Sequence, residues 1–209
     1  MYQRNDGDIY PTYILKQPMR IWLITDTHFG HDKMIPYCGR PEGFENLILE
    51  NLHELLEPND LLIHLGDFCI GNDSGWHADF METVPCKKWL IRGNHDGKSD
   101  NWYLEHGWDF VGAKFQSRYF GKNILFSHTP VRYTELQSSL FITDGFDINI
   151  HGHFHNSLHR LQEGKFIAEG EKERNKVDLK NITARHKLLA VEYTDYKPVL
   201  LEEFIKNFL

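Results

Sequence analysis

Short apolar runs recur along the chain, each closed by a polar or glycine-containing break: Ile21 to Ile24, Leu61 to Leu65, Trp89 to Ile91, Ile124 to Phe126 and Ile148 to Ile150. Runs of this length, bounded in this way, read as buried strands. The segments between the first three carry a different period. Phe44 to Leu56 sets Leu47, Ile48, Leu52, Leu55 and Leu56 along one stripe and stops before Pro58, and Gly75 to Val84 stops before Pro85. A stripe at helical spacing that ends at proline predicts a helix. Strands alternating with helices predict an α/β fold around a largely parallel sheet.

After Trp108 the texture changes. Phe110 to Phe115, Ser117 to Phe120 and Ile124 to Ser127, the last two joined by Gly121-Lys122-Asn123, read as antiparallel hairpins, so a mixed or second sheet is expected. Lys187 to Tyr193 reads as another strand, and Pro198 as the opening of a helix with Val199, Leu200, Leu201, Phe204, Ile205 and Phe208 on its apolar side. Residues 160–185 are rich in charge and poor in large apolar side chains, which predicts a long loop or hairpin excursion. At 209 residues, with roughly 150 residues per domain, residues 1–209 are expected to form one domain.

Composition narrows the function by exclusion. No apolar stretch approaches the ~18 residues of a membrane span, and Met1 to Gln17 has no basic start or apolar middle, so a cytoplasmic protein is expected. Cys38, Cys69 and Cys86 are an odd number without a CxxC pair, which suggests neither disulfides nor a thiolate metal site. A net charge of -7 disfavours broad nucleic-acid binding, which needs a basic surface. A locally gripped anion stays open, because bound cations reverse the field inside one cleft. Neither a P-loop nor a dinucleotide fingerprint occurs.

The chemistry sits where the strands end. Asp26 and His28, Asp67, Asn94, His128, and His153 and His155 follow the five apolar runs in turn. In open α/β sheets the functional crevice lies beyond the carboxyl ends of the strands, where residues distant in sequence converge. The pairs Asp26/His28 and His153/His155 are two apart, which in extended chain points both side chains to one face. Seven candidate ligands exceed one tetrahedral ion and suit two ions that share a carboxylate, with Asp67 the natural bridge. Oxygen and imidazole donors favour manganese, iron, zinc or nickel. Two such ions can acidify a bridging water into a hydroxide nucleophile and offset charge on a phosphoryl group, which is the chemistry of phosphoester hydrolysis. His95, beside Asn94, is placed to give the leaving group its proton, and Asp96 to orient the His95 ring.

The blocks Asp26-Thr27-His28, Gly66-Asp67, Gly93-Asn94-His95-Asp96, Ser127-His128 and Gly152-His153-Phe154-His155 resemble the ordered motifs of the calcineurin-like metallophosphoesterases. The resemblance runs from about residue 20 to 155, and Tyr196 to Val199 with the helix after it resembles the ending of small members. It implies two mixed β-sheets packed as a sandwich flanked by α-helices, in four layers αββα. It also implies Asp26, His28, Asp67 and His155 on one ion, Asp67, Asn94, His128 and His153 on the other, and His95 as general acid. The first motif extends to His31, as in a bacterial and viral subgroup of small phosphoesterases.

The remaining histidines and basic residues divide by context. His31 and Arg92 are candidate substrate contacts, Arg92 because guanidinium matches phosphate oxygens, with Tyr37 and Arg40 as further cleft candidates. His64, inside an apolar run, reads as a satisfied core histidine, and His151 as a group behind the ligands. His77, His106, His159 and His186 lack partners at ligand spacing and are expected at the surface. The expected substrate is a phosphomonoester or phosphodiester, nucleotides included. A nuclease, or a non-catalytic protein-binding scaffold on the same fold, are the rival readings; scaffold members usually lack a ligand or the acid histidine, whereas this chain has all of them.

Overall fold

The computed structural model describes residues 18–131, 145–156 and 182–206. Among them lie nine strands: β1 Ile21–Ile24, β2 Leu61–His64, β3 Lys87–Ile91, β4 Phe110–Gly112, β5 Lys114–Tyr119, β6 Lys122–Ser127, β7 Ile148–His151, β8 His186–Leu188 and β9 Val199–Leu200. The helices are α1 Met34–Cys38, α2 Phe44–Leu55, α3 Asp73–Thr83, α4 Asp100–Glu105 and α5 Leu201–Lys206. One sheet has the order β4-β3-β2-β1-β9 and the other β5-β6-β7-β8. Both are mixed. β1 to β4 run parallel with β9 antiparallel at the edge, and β6 to β8 run parallel with β5 antiparallel.

Alternation along the strands separates the cores. Leu23, Ile63 and Ile91 of the first sheet pack with Ile124, Phe126, Ile148 and Ile150 of the second, forming the layer between the sheets. The opposite parity, Ile24, Leu62 and Leu90, packs against Phe44, Ile48 and Leu52 of α2 and Phe80 of α3. Each such fully buried side chain contributes about 1.5–3 kcal/mol relative to exposure. Two mixed sheets with flanking helices are thus present. Helical cover for the outer face of the second sheet, where Leu125, Val131 and Phe146 cluster, is not among the described residues. Nor are Phe208, His159 and most of residues 160–185.

Three element expectations need correction. Phe110 to Phe115 is not one hairpin arm: β4 stays in the first sheet, parallel to β3, while β5 crosses to the second. The crossing puts Phe110 and Phe115 on the same inter-sheet core, with ring centroids 5.8 Å apart. The run to Tyr193 is strand only through Leu188; Val191–Tyr193 is a 3-10 turn, closed by the Tyr193 N–H on the Ala190 carbonyl at 3.0 Å. Val199 and Leu200 are not helical. They pair antiparallel with Leu23 and Trp22 on the open edge of β1, and α5 begins at Leu201.

Capping explains the helices that periodicity placed poorly. Asn72 Oδ1 accepts the Gly75 N–H at 3.2 Å, so α3 starts at Asp73, two residues before the apolar pattern. Ser99 Oγ accepts the Trp102 N–H at 3.2 Å and opens α4. That short helix has too few residues to show a period.

The register positions the site. Ile24 stands beside His64, and His64 beside Leu90, so the chain leaves β1, β2 and β3 at one edge of the sheet. β6 and β7 are parallel as well, with Ser127 beside His151. Residues just past five strands are therefore delivered to one region.

Candidate metal centre

The chain turns sharply past the ends of β1, β2 and β7. Asp26, His28, Asp67, His153 and His155 have φ of 51°, 49°, 56°, 74° and 46°. A left-handed backbone is uncommon for residues other than glycine, and such strain concentrates at functional sites. Glycines precede three of the motifs for a reason of space. A Cβ on Gly93 would strike the Asp67 carboxylate, and one on Gly152 would strike the carboxylate of Asp26 and the hydroxyl of Thr25.

Two groups of ligand atoms result, Asp26/His28/His155 and Asp67/His128/His153, each with its atoms within 4.8 Å of one another. Asp67 lies between them: its Oδ2 is 3.2 Å from His128 Nε2 and 3.6 Å from His28 Nε2. Asn94 joins the second group, with Oδ1 3.1 Å from His128 Nε2, and His153 Nδ1 lies 3.2 Å from the same nitrogen. His155 Nε2 is 3.8 Å from Asp26 Oδ1. All seven residues expected as ligands are thus brought together.

Each carboxylate has one oxygen engaged by the protein and one turned to the group. Asp26 Oδ2 accepts from the Thr25 hydroxyl at 2.7 Å and the His153 N–H at 3.0 Å, while Oδ1 is buried without a partner. Asp67 Oδ1 accepts the His95 N–H at 2.8 Å. One imidazole, that of His128, is oriented from behind. His128 Nδ1 lies 2.8 Å from the Leu65 carbonyl, which can only accept, so Nδ1 carries a hydrogen and Nε2 faces the group. Both nitrogens of His28 are buried without partners.

These orphaned atoms fit a cation. A buried carboxylate oxygen or ring nitrogen without a partner is costly, and a coordinated divalent ion removes that cost. Burial pushes the Asp26 carboxyl up and the His28 imidazole down, and holds His153 at about 3, hence neutral and able to donate a lone pair. Burial also disfavours charge on Asp67 and His128, but their mutual attraction prevails, lowering the Asp67 carboxyl and raising the His128 imidazole to about 9. Each of the two groups has donor atoms suited to a divalent cation.

Around the ligands the structure sorts the other candidates. His95 is exposed above the cluster, its ring centroid 5.2 Å from that of His28 and 6.2 Å from that of His31. His31 thus joins the site. Asp96 does not orient the His95 ring: its oxygens accept the N–H groups of Asp67 at 2.8 Å, Phe68 at 3.0 Å and Gly93 at 2.7 Å, clamping the second motif to the third. Arg92 Nε pairs with Asp100 Oδ1 at 2.9 Å. Arg40 is no cleft wall but a buried group bonded to the backbone of the first motif, whereas Tyr37 is exposed.

Glu192 was hidden from sequence reasoning. Its Oε1 lies 3.3 Å from His155 Nδ1 and accepts from Arg40. No local signal marks it, since its partners are 37 and 152 residues away. Cys38, His155 and Glu192 also lie within 4.8 Å of one another, but Glu192 is already neutralised by Arg40.

His64 is the satisfied core group expected: Nδ1 accepts the Gly66 N–H at 3.1 Å, and Nε2 lies 3.0 Å from the Thr27 hydroxyl. His151 is buried behind the ligands. His77 is not at the surface; it is buried among Phe68, Trp102, Tyr103 and Trp108, with its Nδ1–H donating to the Asp73 carbonyl at 2.7 Å within α3. His106 stacks on Trp102 at 3.7 Å. Burial lowers His64 and His151 to about 3 and His77 to about 4.

An unfolded imidazole titrates near 6.5. Below that value the unfolded chain binds protons that these folded histidines refuse, so their contribution to stability falls as pH falls from about 6.5 toward their folded values. Asp26 and Asp96, raised by burial, act in the opposite sense. A comparison isolates the histidine contribution. The denaturation midpoint of the metal-free chain should drop less between pH 7.5 and 5 in His77→Leu than in wild type; equal drops would contradict this account.

Residues 19–207 match the family model for calcineurin-like phosphoesterases, and the chain belongs to that family. It is 28% identical over 193 residues to an uncharacterized protein of Methanocaldococcus jannaschii, covering 90% of each chain. It is also similar to the crystal structure of the protein of unknown function AQ665 from Aquifex aeolicus, with 29% identity, 91% of this chain and 100% of that one covered, and a TM-score of 0.65. No helix among the described residues is long and apolar enough to cross a membrane.

Proposed function

We propose that this chain is a hydrolase of phosphomonoesters or phosphodiesters that works with two divalent metal ions, manganese first among manganese, iron, zinc and nickel. The observation that carries the reading is the position of Asp67 Oδ2 between His28 Nε2 and His128 Nε2, at 3.6 and 3.2 Å, linking two groups of ligand atoms. When bound, a pair of divalent ions acidifies water for attack on phosphorus and offsets charge on the phosphoryl oxygens.

The chain's own residues supply the rest. Asp26, His28, Asp67, Asn94, His128, His153 and His155 hold the ions, and buried bonds behind Asp26, Asp67 and His128 keep those three aimed inward. His95, exposed at the mouth, donates a proton to the leaving oxygen. Asp96 acts through the backbone, holding the loops of Asp67 and Asn94 in place. His31, whose Nδ1 has no partner, faces the same mouth and contacts substrate there. The complete ligand set favours catalysis over a scaffold role.

The test is a screen of the chain loaded in turn with each of the four metals. Substrates are p-nitrophenyl phosphate, its bis ester, a nucleotide panel, and single- and double-stranded DNA on gels. Turnover of at least one ester that depends on added metal is expected. Failure on every substrate with every metal would end the hydrolase reading and leave the scaffold.

A further inference from the structure

Behind the ligand groups lies an ion pair that the proposed reaction does not use. Arg40 Nη2 donates to the Asp26 carbonyl at 2.6 Å, and Nη1 to the Thr27 carbonyl at 2.8 Å. Nε and Nη2 both donate to Glu192 Oε1, at 2.9 and 2.7 Å. The same oxygen is 3.3 Å from His155 Nδ1. The Arg40 side chain is 0% exposed and that of Glu192 4%.

A buried ion pair is a weak device for stability, because desolvation offsets much of the attraction and an apolar pair of similar volume does as well. This one has a geometry suited to another purpose. Two guanidinium nitrogens hold the carbonyls of a turn in which Asp26 and His28 have left-handed backbone. The carboxylate sits behind His155, where accepting the Nδ1–H leaves Nε2 free toward Asp26. His128, in the other group, is oriented by the Leu65 carbonyl instead.

We propose that Arg40 and Glu192 are positioning residues dedicated to one metal position, that of Asp26, His28 and His155. Arg40 pins the turn that carries the first two ligands, and Glu192 fixes the ring and tautomer of the third. The pair ties the start of the fold to its end, since Glu192 lies in the 3-10 turn after β8. The proposal rests on the two-ion reading of the site.

The test titrates metal-stripped wild type, Glu192→Ala, Glu192→Gln and Arg40→Lys with Mn2+, followed by calorimetry and electron paramagnetic resonance. Wild type should take up two ions per chain. In the variants one step should be retained and the other weakened roughly 10–100-fold, with the signal of an isolated Mn2+ replacing that of a coupled pair. Glu192→Gln and Arg40→Lys preserve volume and carry the comparison should the alanine chain not fold. Equal weakening of both steps, or no weakening in any variant, overturns the proposal. A wild type that takes up one ion overturns the two-ion reading instead; the pairing then survives only if that ion is weakened in Glu192→Gln.

Discussion

Asp67→Asn is expected to remove bound metal and turnover together while leaving the fold intact. Asn tolerates the left-handed backbone that Asp67 adopts at φ 56°. Its carbonyl oxygen can still accept the His95 N–H that Asp67 Oδ1 accepts at 2.8 Å. The change falls on the other oxygen. An amide NH2 in place of Oδ2 puts two hydrogens and no negative charge between His28 Nε2 and His128 Nε2, at the point a shared cation needs a donor atom. The loss should exceed the roughly 10–100-fold typical of a supporting group. Metal analysis and melting curves read it. Added Mn2+ should raise the wild-type melting temperature, as any ligand of the native state does, and leave the variant unmoved. Full metal content in the variant would rule out Asp67 as the shared ligand.

His95→Ala should separate chemistry from metal binding. The backbone N–H that His95 gives to Asp67 survives the substitution, so metal content should stay at the wild-type level. What disappears is an imidazole exposed above the ligand groups, next to His28 and His31. A positioned acid accelerates expulsion of a poor leaving group by roughly 10²–10⁴-fold. An alkyl phosphate, whose alkoxide needs a proton, should therefore lose turnover by about that factor. p-Nitrophenyl phosphate, whose phenolate departs unprotonated, should lose little. Equal losses on the two esters would contradict the acid role and make His95 a binding residue.

The candidate ligand set was legible because each candidate follows an apolar run closely. Ile21 to Ile24 and Leu61 to His64 are strands in the structure, and the motifs after them leave the sheet at one edge. The supporting groups were not legible in the same way. Asp96 is adjacent in sequence to His95, which suggested a side-chain partnership, yet its oxygens are committed to three backbone N–H groups. His77 has no partner at ligand spacing, and only the packing of α3 against Phe68 and Trp108 buries it. Val199 and Leu200 looked helical after Pro198, but the unfilled edge of β1 gives their backbone a better partner.

By itself the sequence determined which stretches become buried strands, which residue types stand at their ends, and that those types suit divalent cations. Period, breaks and side-chain chemistry are properties of the chain over a few neighbouring residues, so they survive without coordinates. Only the tertiary structure decided that Arg40 meets Glu192 across 152 positions, that Asp67 lies between the two groups, and that five of the candidate ligands sit on left-handed turns. Those are outcomes of two sheets packing face to face, and no local pattern encodes a contact whose partner is delivered by another strand.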